Sequence, residues 1–92
     1  MSDKLREIRE KIDGVDDEMA RLFDERMSLV KEVAEIKSLS SLPLVHSDRE
    51  NDIVKRIKQS VAPEIADFAE RLFRTLFEVS KDYQAKVIKK EK

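Results

Sequence analysis

Apolar side chains recur at alternating spacings of three and four along the first forty residues. With Leu5 set as position a of a heptad, positions a and d read Leu5, Ile8, Ile12, Val15, Met19, Leu22, Arg26, Leu29, Val33 and Ile36. Only Arg26 interrupts the apolar seam. Such spacing, sustained over more than four heptads with no proline, predicts one helix of coiled-coil character over about residues 3–39. At ~1.5 Å per residue this helix runs ~55 Å, whereas a compact chain of 92 residues has a radius of gyration of only ~12 Å. The helix outruns what its own chain can cover, so the pattern predicts a second subunit over part of it.

Serines from Ser38 to Ser41 and then Leu42-Pro43-Leu44 end the first pattern, since Pro43 cannot continue a helix. Ser47-Asp48-Arg49-Glu50 has the form of a capping box and opens a second helix over about residues 47–60. Its inner face holds Ile53, Val54 and Ile57, and Glu50, three and four residues before the first two, continues that face. Ala62-Pro63-Glu64 marks a break, with Pro63 suited to the first turn of a third helix over about residues 63–87. Ile65, Phe68, Ala69, Leu72, Phe73, Leu76, Phe77, Val79 and Tyr83 form a broad apolar face there, and Ser80 and Gln84 continue the line of Phe73 and Phe77. The prediction is a single all-α domain spanning residues 1–92, with three helices per chain: one long, one short and one medium.

Composition narrows the chemistry. Nineteen basic residues against 20 acidic ones leave a net charge of -1, without the basic excess that nucleic-acid partners require. The absence of cysteine removes disulfides and thiolate nucleophiles, and a single histidine argues against a dedicated zinc site. No apolar run is long enough for a membrane span and no signal-peptide core is visible, so the expected protein is soluble and cytoplasmic, with no membrane partner.

The unusual positions are polar groups on faces that otherwise build a core: Arg26 in the seam, Lys37 beside it at position e, and Glu50, Ser80 and Gln84 on the inner faces of the later helices. A buried arginine without compensation is costly. One reading supplies an internal Arg26–Glu50 ion pair, or an arginine that reaches out of a loosely packed seam. The other is a cationic pocket for a small polycarboxylate, with Glu50, Ser80 and Gln84 adding hydrogen bonds. Arg26 and Lys37 are 11 residues apart, ~16 Å along a helix, so long side chains reach a ligand between them. Arg9 shares the azimuth of Lys37 but lies 17 residues before Arg26, ~25 Å away. If two copies of the first helix pair antiparallel about residue 20, Arg9 of one falls opposite residue 31 of the other, between Arg26 and Lys37. Two-fold symmetry then makes two such sites. Arg6 competes for the role, though its b position points outward.

The ordered set Ile8-Arg9-Glu10-Lys11-Ile12-Asp13 with Asp16, Leu22 to Arg26, Val33 to Lys37, Pro43, Arg49-Glu50 and Ser80 with Gln84 resembles the all-helical chorismate mutases, over nearly the whole chain from about Leu5 to Gln84. The resemblance implies an intertwined antiparallel homodimer with two equivalent sites. It implies an isomerase that converts chorismate to prephenate, a step of the shikimate route to aromatic amino acids, with no cofactor and no metal. Arg26 and the partner's Arg9 are implied as holders of the two substrate carboxylates. Lys37 and Gln84 are implied as donors to the ether oxygen of the breaking bond, Glu50 as the partner of the ring hydroxyl, and Arg49 and Ser80 as pocket residues that assist carboxylate binding. One slot departs from the pattern: His46 stands where relatives commonly have an aspartate, which leaves its backbone as a candidate substrate contact. Isochorismate pyruvate-lyases resemble the same fold, and a non-catalytic antiparallel dimer with Arg26 as a register device is the alternative outside enzymes.

Overall fold

The computed structural model describes residues 2–40 and 47–91, with side chains over residues 3–39 and 47–89; Pro43 and His46 lie outside the described residues. Three α-helices make the fold: α1 (Ser2–Ser40), α2 (Ser47–Ser60) and α3 (Ala66–Glu91), with a 3-10 turn at Pro63–Ile65 leading into α3. No strand occurs among the described residues. The 3-10 turn follows from Pro63, which has no N–H to satisfy at a helix start, and it closes with the Ile65 amide donating to the Ala62 carbonyl at 3.0 Å. Three residues expected in the first turn of the third helix are therefore wound more tightly than the helix they enter.

α3 is the hub, packing against both α1 and α2. Its apolar line carries Phe73 and Phe77, whose rings meet edge to face with centroids 6.4 Å apart. Polar pairs fix the register of α2 on α3: Lys58 Nζ lies 3.2 Å from Asp67 and 3.3 Å from Glu70, while Arg74 bridges Glu70 at 3.3 Å and donates to Asn51 at 3.0 Å. Each pair alone is worth little where solvent reaches it. Sharing Glu70 between two cations on facing helices makes the contact directional, and it orients the start of α2, where Arg49 and Glu50 sit.

The core of the single chain is small. Among the described residues, Ala34, Val54, Phe77 and Val87 are its buried apolar side chains. On α1, every residue from 3 to 25 with a described side chain is exposed, and part-buried side chains begin only at Arg26. The face that α1 turns inward is the line Arg26, Val30, Ala34 and Lys37, one helical turn apart, which leaves the heptad seam after Arg26. The nine apolar residues of the seam stay open to solvent, from Leu5 at 48% exposed through Val15 at 58% to Ile36 at 60%. The chain measures 57 × 27 × 14 Å with a radius of gyration of 16.8 Å, well beyond the ~12 Å of a compact chain this long. Its accessible surface is 7587 Å², where a compact monomer of this mass exposes about 5,500 Å². No helix among the described residues is long and apolar enough to cross a membrane.

Candidate functional site

A cavity of about 140 Å³ opens where the three helices meet, lined by Arg26, Val30 and Lys37 from α1, Arg49, Glu50 and Ile53 from α2, and Phe77, Ser80, Lys81 and Gln84 from α3. Helical periodicity explains the membership. Arg26, Val30 and Lys37 fall on the inward line of α1, Glu50 and Ile53 lie on one face of α2, and Phe77, Ser80, Lys81 and Gln84 are spaced i, i+3, i+4, i+7 on α3. The six in-chain candidates Arg26, Lys37, Arg49, Glu50, Ser80 and Gln84 are thus brought together. Arg9 is not: it is exposed on the half of α1 that its own chain leaves uncovered. His46, the remaining candidate, lies outside the described residues.

Arg26 is aimed by a relay across helices. One of its guanidinium N–H groups donates to the Ser80 hydroxyl at 2.6 Å, and that hydroxyl donates in turn to the Leu76 carbonyl one turn back at 2.8 Å. Ser80 is 5% exposed, so its single hydrogen is committed and its lone pair is presented to the arginine. The expected Arg26–Glu50 ion pair does not form. Glu50 instead meets Lys81, with Oε2 and Nζ 3.3 Å apart, and Arg26 binds a neutral partner that leaves its charge unbalanced.

That charge is reflected in the titration behaviour of the cations. Burial lowers the pKa of Arg26 below the ordinary arginine value, and the nearby Arg49 lowers it further. Lys37 is lowered in the same way, first by burial and then by Arg49. Both causes have one meaning: this cluster holds positive charge in a partly desolvated place, and a bound anion would relieve the repulsion. Gln84 is 7% exposed, and its Oε1 has no hydrogen-bond partner among the described residues. An orphaned buried acceptor is costly by about 1 to 3 kcal/mol, a pattern typical of sites that bind rather than of sites that only pack.

A second, larger groove of about 470 Å³ runs beside the cavity, lined by Met19, Ala20, Leu22, Phe23, Leu72, Phe73 and Leu76, with Arg26 at the boundary. Its walls are almost wholly apolar, so it lacks the groups to orient a charged ligand, which line the smaller cavity instead. Lys81 is the lining residue that the sequence reading did not single out. Its signal was present, four residues after Phe77 and three before Gln84.

An all-helical chain that gathers cationic, hydroxyl and amide groups in one cavity defines a class of proteins suited to a compact anion. The family described as chorismate mutase type II matches residues 8–85, and the chain belongs to that family. The chorismate mutase of Methanocaldococcus jannaschii is 38% identical over 86 residues, which cover 91% of this chain and 87% of that protein. The bifunctional chorismate mutase/prephenate dehydratase of Aquifex aeolicus is 42% identical over 55 residues, 60% of this chain and 15% of that protein. No solved structure gives a significant match.

Proposed function

We propose that this chain, a chorismate mutase by family, rearranges chorismate to prephenate in the cavity between Arg26, Lys37, Glu50 and Gln84, and that a second copy completes the site with Arg9. The observation that carries this reading is the convergence of Arg26 and Lys37 from α1 with Glu50 from α2 and Gln84 from α3 on one cavity. The reaction is intramolecular: the ether C–O bond breaks as a C–C bond forms, with no nucleophile and no obligatory proton transfer. The enzyme has two tasks, to hold a flexible dianion in its folded reactive conformer and to stabilise negative charge that grows on the ether oxygen. Arg26, aimed by Ser80, and Arg9 of the second copy take the two carboxylates. Arg49 adds positive potential at the rim. Lys37 and the Gln84 amide donate to the ether oxygen, and Glu50 accepts from the ring hydroxyl. The His46 backbone is a further candidate for that hydroxyl contact.

Three features support the intertwined antiparallel homodimer. Apart from Arg26, the heptad seam of α1 is exposed. The excess of surface over a compact monomer is about 2,000 Å² per chain, in the range that obligate dimers bury. The 140 Å³ cavity is also below the ~300 Å³ typical of ligand pockets, as expected of a site that lacks one wall. In this assembly the cations of α1 face a shared substrate, and the reaction takes place in the cytoplasm on the route to aromatic amino acids.

The test is incubation with chorismate, following loss of its absorbance and identifying the product. Prephenate is expected. An inert protein, or one that instead forms salicylate and pyruvate from isochorismate, overturns the assignment of this cavity.

A further inference from the structure

Lys81 lines the cavity but has no part in the reading above. Its ammonium stands 3.3 Å from Oε2 of Glu50, and the two side chains are 30% and 21% exposed. The pair joins the first turn of α2 to the middle of α3, so it is neither a helical i,i+4 contact nor a fully solvated surface bridge. Arg26 is turned to Ser80 instead, at 2.6 Å.

Glu50 poses an electrostatic problem. A carboxylate in a pocket meant for a dianion repels that ligand at short range, and the lower local dielectric strengthens the repulsion. A fixed cation on the far side of the carboxylate removes the difficulty without removing the hydrogen-bond acceptor. The Lys81 ammonium, 3.3 Å from Oε2, is such a cation.

We propose that Lys81 is a positioning residue for the rearrangement: its ammonium holds Oε2 of Glu50, offsets the carboxylate charge toward the incoming dianion, and leaves Oε1 aimed at the substrate hydroxyl. This assignment rests on the proposed site and on Glu50 as the hydroxyl's acceptor. Lys81 acts through Glu50 and not on the reacting atoms, so its effect falls on substrate capture more than on turnover. Arginine at position 81 serves the same purpose, whereas a neutral side chain of equal length leaves Glu50 in place with its charge unbalanced.

The experiment is steady-state kinetics with chorismate on Lys81→Met and Lys81→Arg, each made in the parent and in a Glu50→Gln background. In the parent, Lys81→Met is expected to raise KM about five- to thirtyfold while kcat falls less than about threefold, and raised salt should narrow the difference. Lys81→Arg should return KM to within about threefold of the parent. In the Glu50→Gln background, where no carboxylate charge remains to offset, Lys81→Met should change KM by less than about twofold. An unchanged KM for Lys81→Met in the parent overturns the proposal. An equal rise in both backgrounds also overturns it, because Lys81 then meets the substrate directly. Helical circular dichroism accompanies each variant, and a folding defect in Lys81→Met moves the same comparison to Lys81→Gln. Failure of the underlying site assignment is separately visible, since the unsubstituted protein would then not convert chorismate.

Discussion

If Arg9 acts across a dimer, two inactive variants should restore each other. Within one chain Arg9 lies 17 residues before Arg26 on an unbroken α1, about 25 Å at the α-helical rise, and a side chain of ~7 Å does not close that gap. Arg9→Ala and Arg26→Ala should each lower kcat/KM by roughly 30-fold to several thousandfold, because each leaves a desolvated carboxylate of the substrate without its cation. In a heterodimer of the two variants, the site that uses Arg26 of the Arg9→Ala chain receives an intact Arg9 from the other chain. The second site lacks both arginines. Equal amounts of the two chains, unfolded and refolded together, give about half heterodimers, each with one intact site of two, so about a quarter of the parental activity should return. The assay is chorismate turnover before and after mixing, with native mass spectrometry to count heterodimers. Heterodimers that form without recovering activity refute delivery of Arg9 in trans, and the competing candidate Arg6 then takes the same test.

Lys37 predicts a pH dependence. In the proposed mechanism its ammonium is the form that donates to the ether oxygen, and burial with Arg49 nearby brings its pKa below the ordinary lysine value. The ammonium is lost as pH rises through that lowered value, so kcat/KM should fall on the alkaline side earlier than free lysine would dictate, and a Lys37→Arg variant that keeps activity should move the fall to higher pH. Val15, 58% exposed on the seam, should convert the protein to monomers and abolish activity when changed to glutamate, as read by light scattering and turnover; a fully active dimer would contradict the proposed pairing. Phe77 is buried beneath the cavity and packs on Phe73, so Phe77→Ala should reduce stability by about 3 to 5 kcal/mol in chemical denaturation. Ser80→Ala removes the acceptor that aims Arg26 at 2.6 Å and should raise KM by about tenfold with little change in melting temperature.

Much of the architecture was legible because helices write themselves as period. The 3,4 spacing from Leu5 to Ile36, Pro63 before the third apolar face, and Ser80 with Gln84 on the line of Phe77 each correspond to a physical face of a helix. Arg26 stood out because a charge in a seam has to be compensated. Its partner was not legible. Whether Arg26 meets Glu50 or Ser80 depends on how α2 and α3 are rotated against α1, and that rotation is decided by packing between helices, which one-dimensional spacing does not encode. Lys81 was passed over for a related reason: a lysine on a helix is ordinarily a solvated one, and only the approach of Glu50 from another helix makes this one part of the cavity. Nor was it legible which line of α1 its own chain covers: burial falls on Arg26 of the seam and on Val30, Ala34 and Lys37 beside it.

A core that among the described residues holds only Ala34, Val54, Phe77 and Val87 has a thermodynamic corollary. So few shielded side chains fall short of offsetting the conformational entropy lost when a chain of this length orders. If the proposed dimer forms, folding and association merge into one bimolecular transition, whose midpoint moves with protein concentration by mass action. The melting temperature of such a protein is not a constant of the molecule, and its specific activity should decline on extreme dilution as the chains that separate also lose their shape.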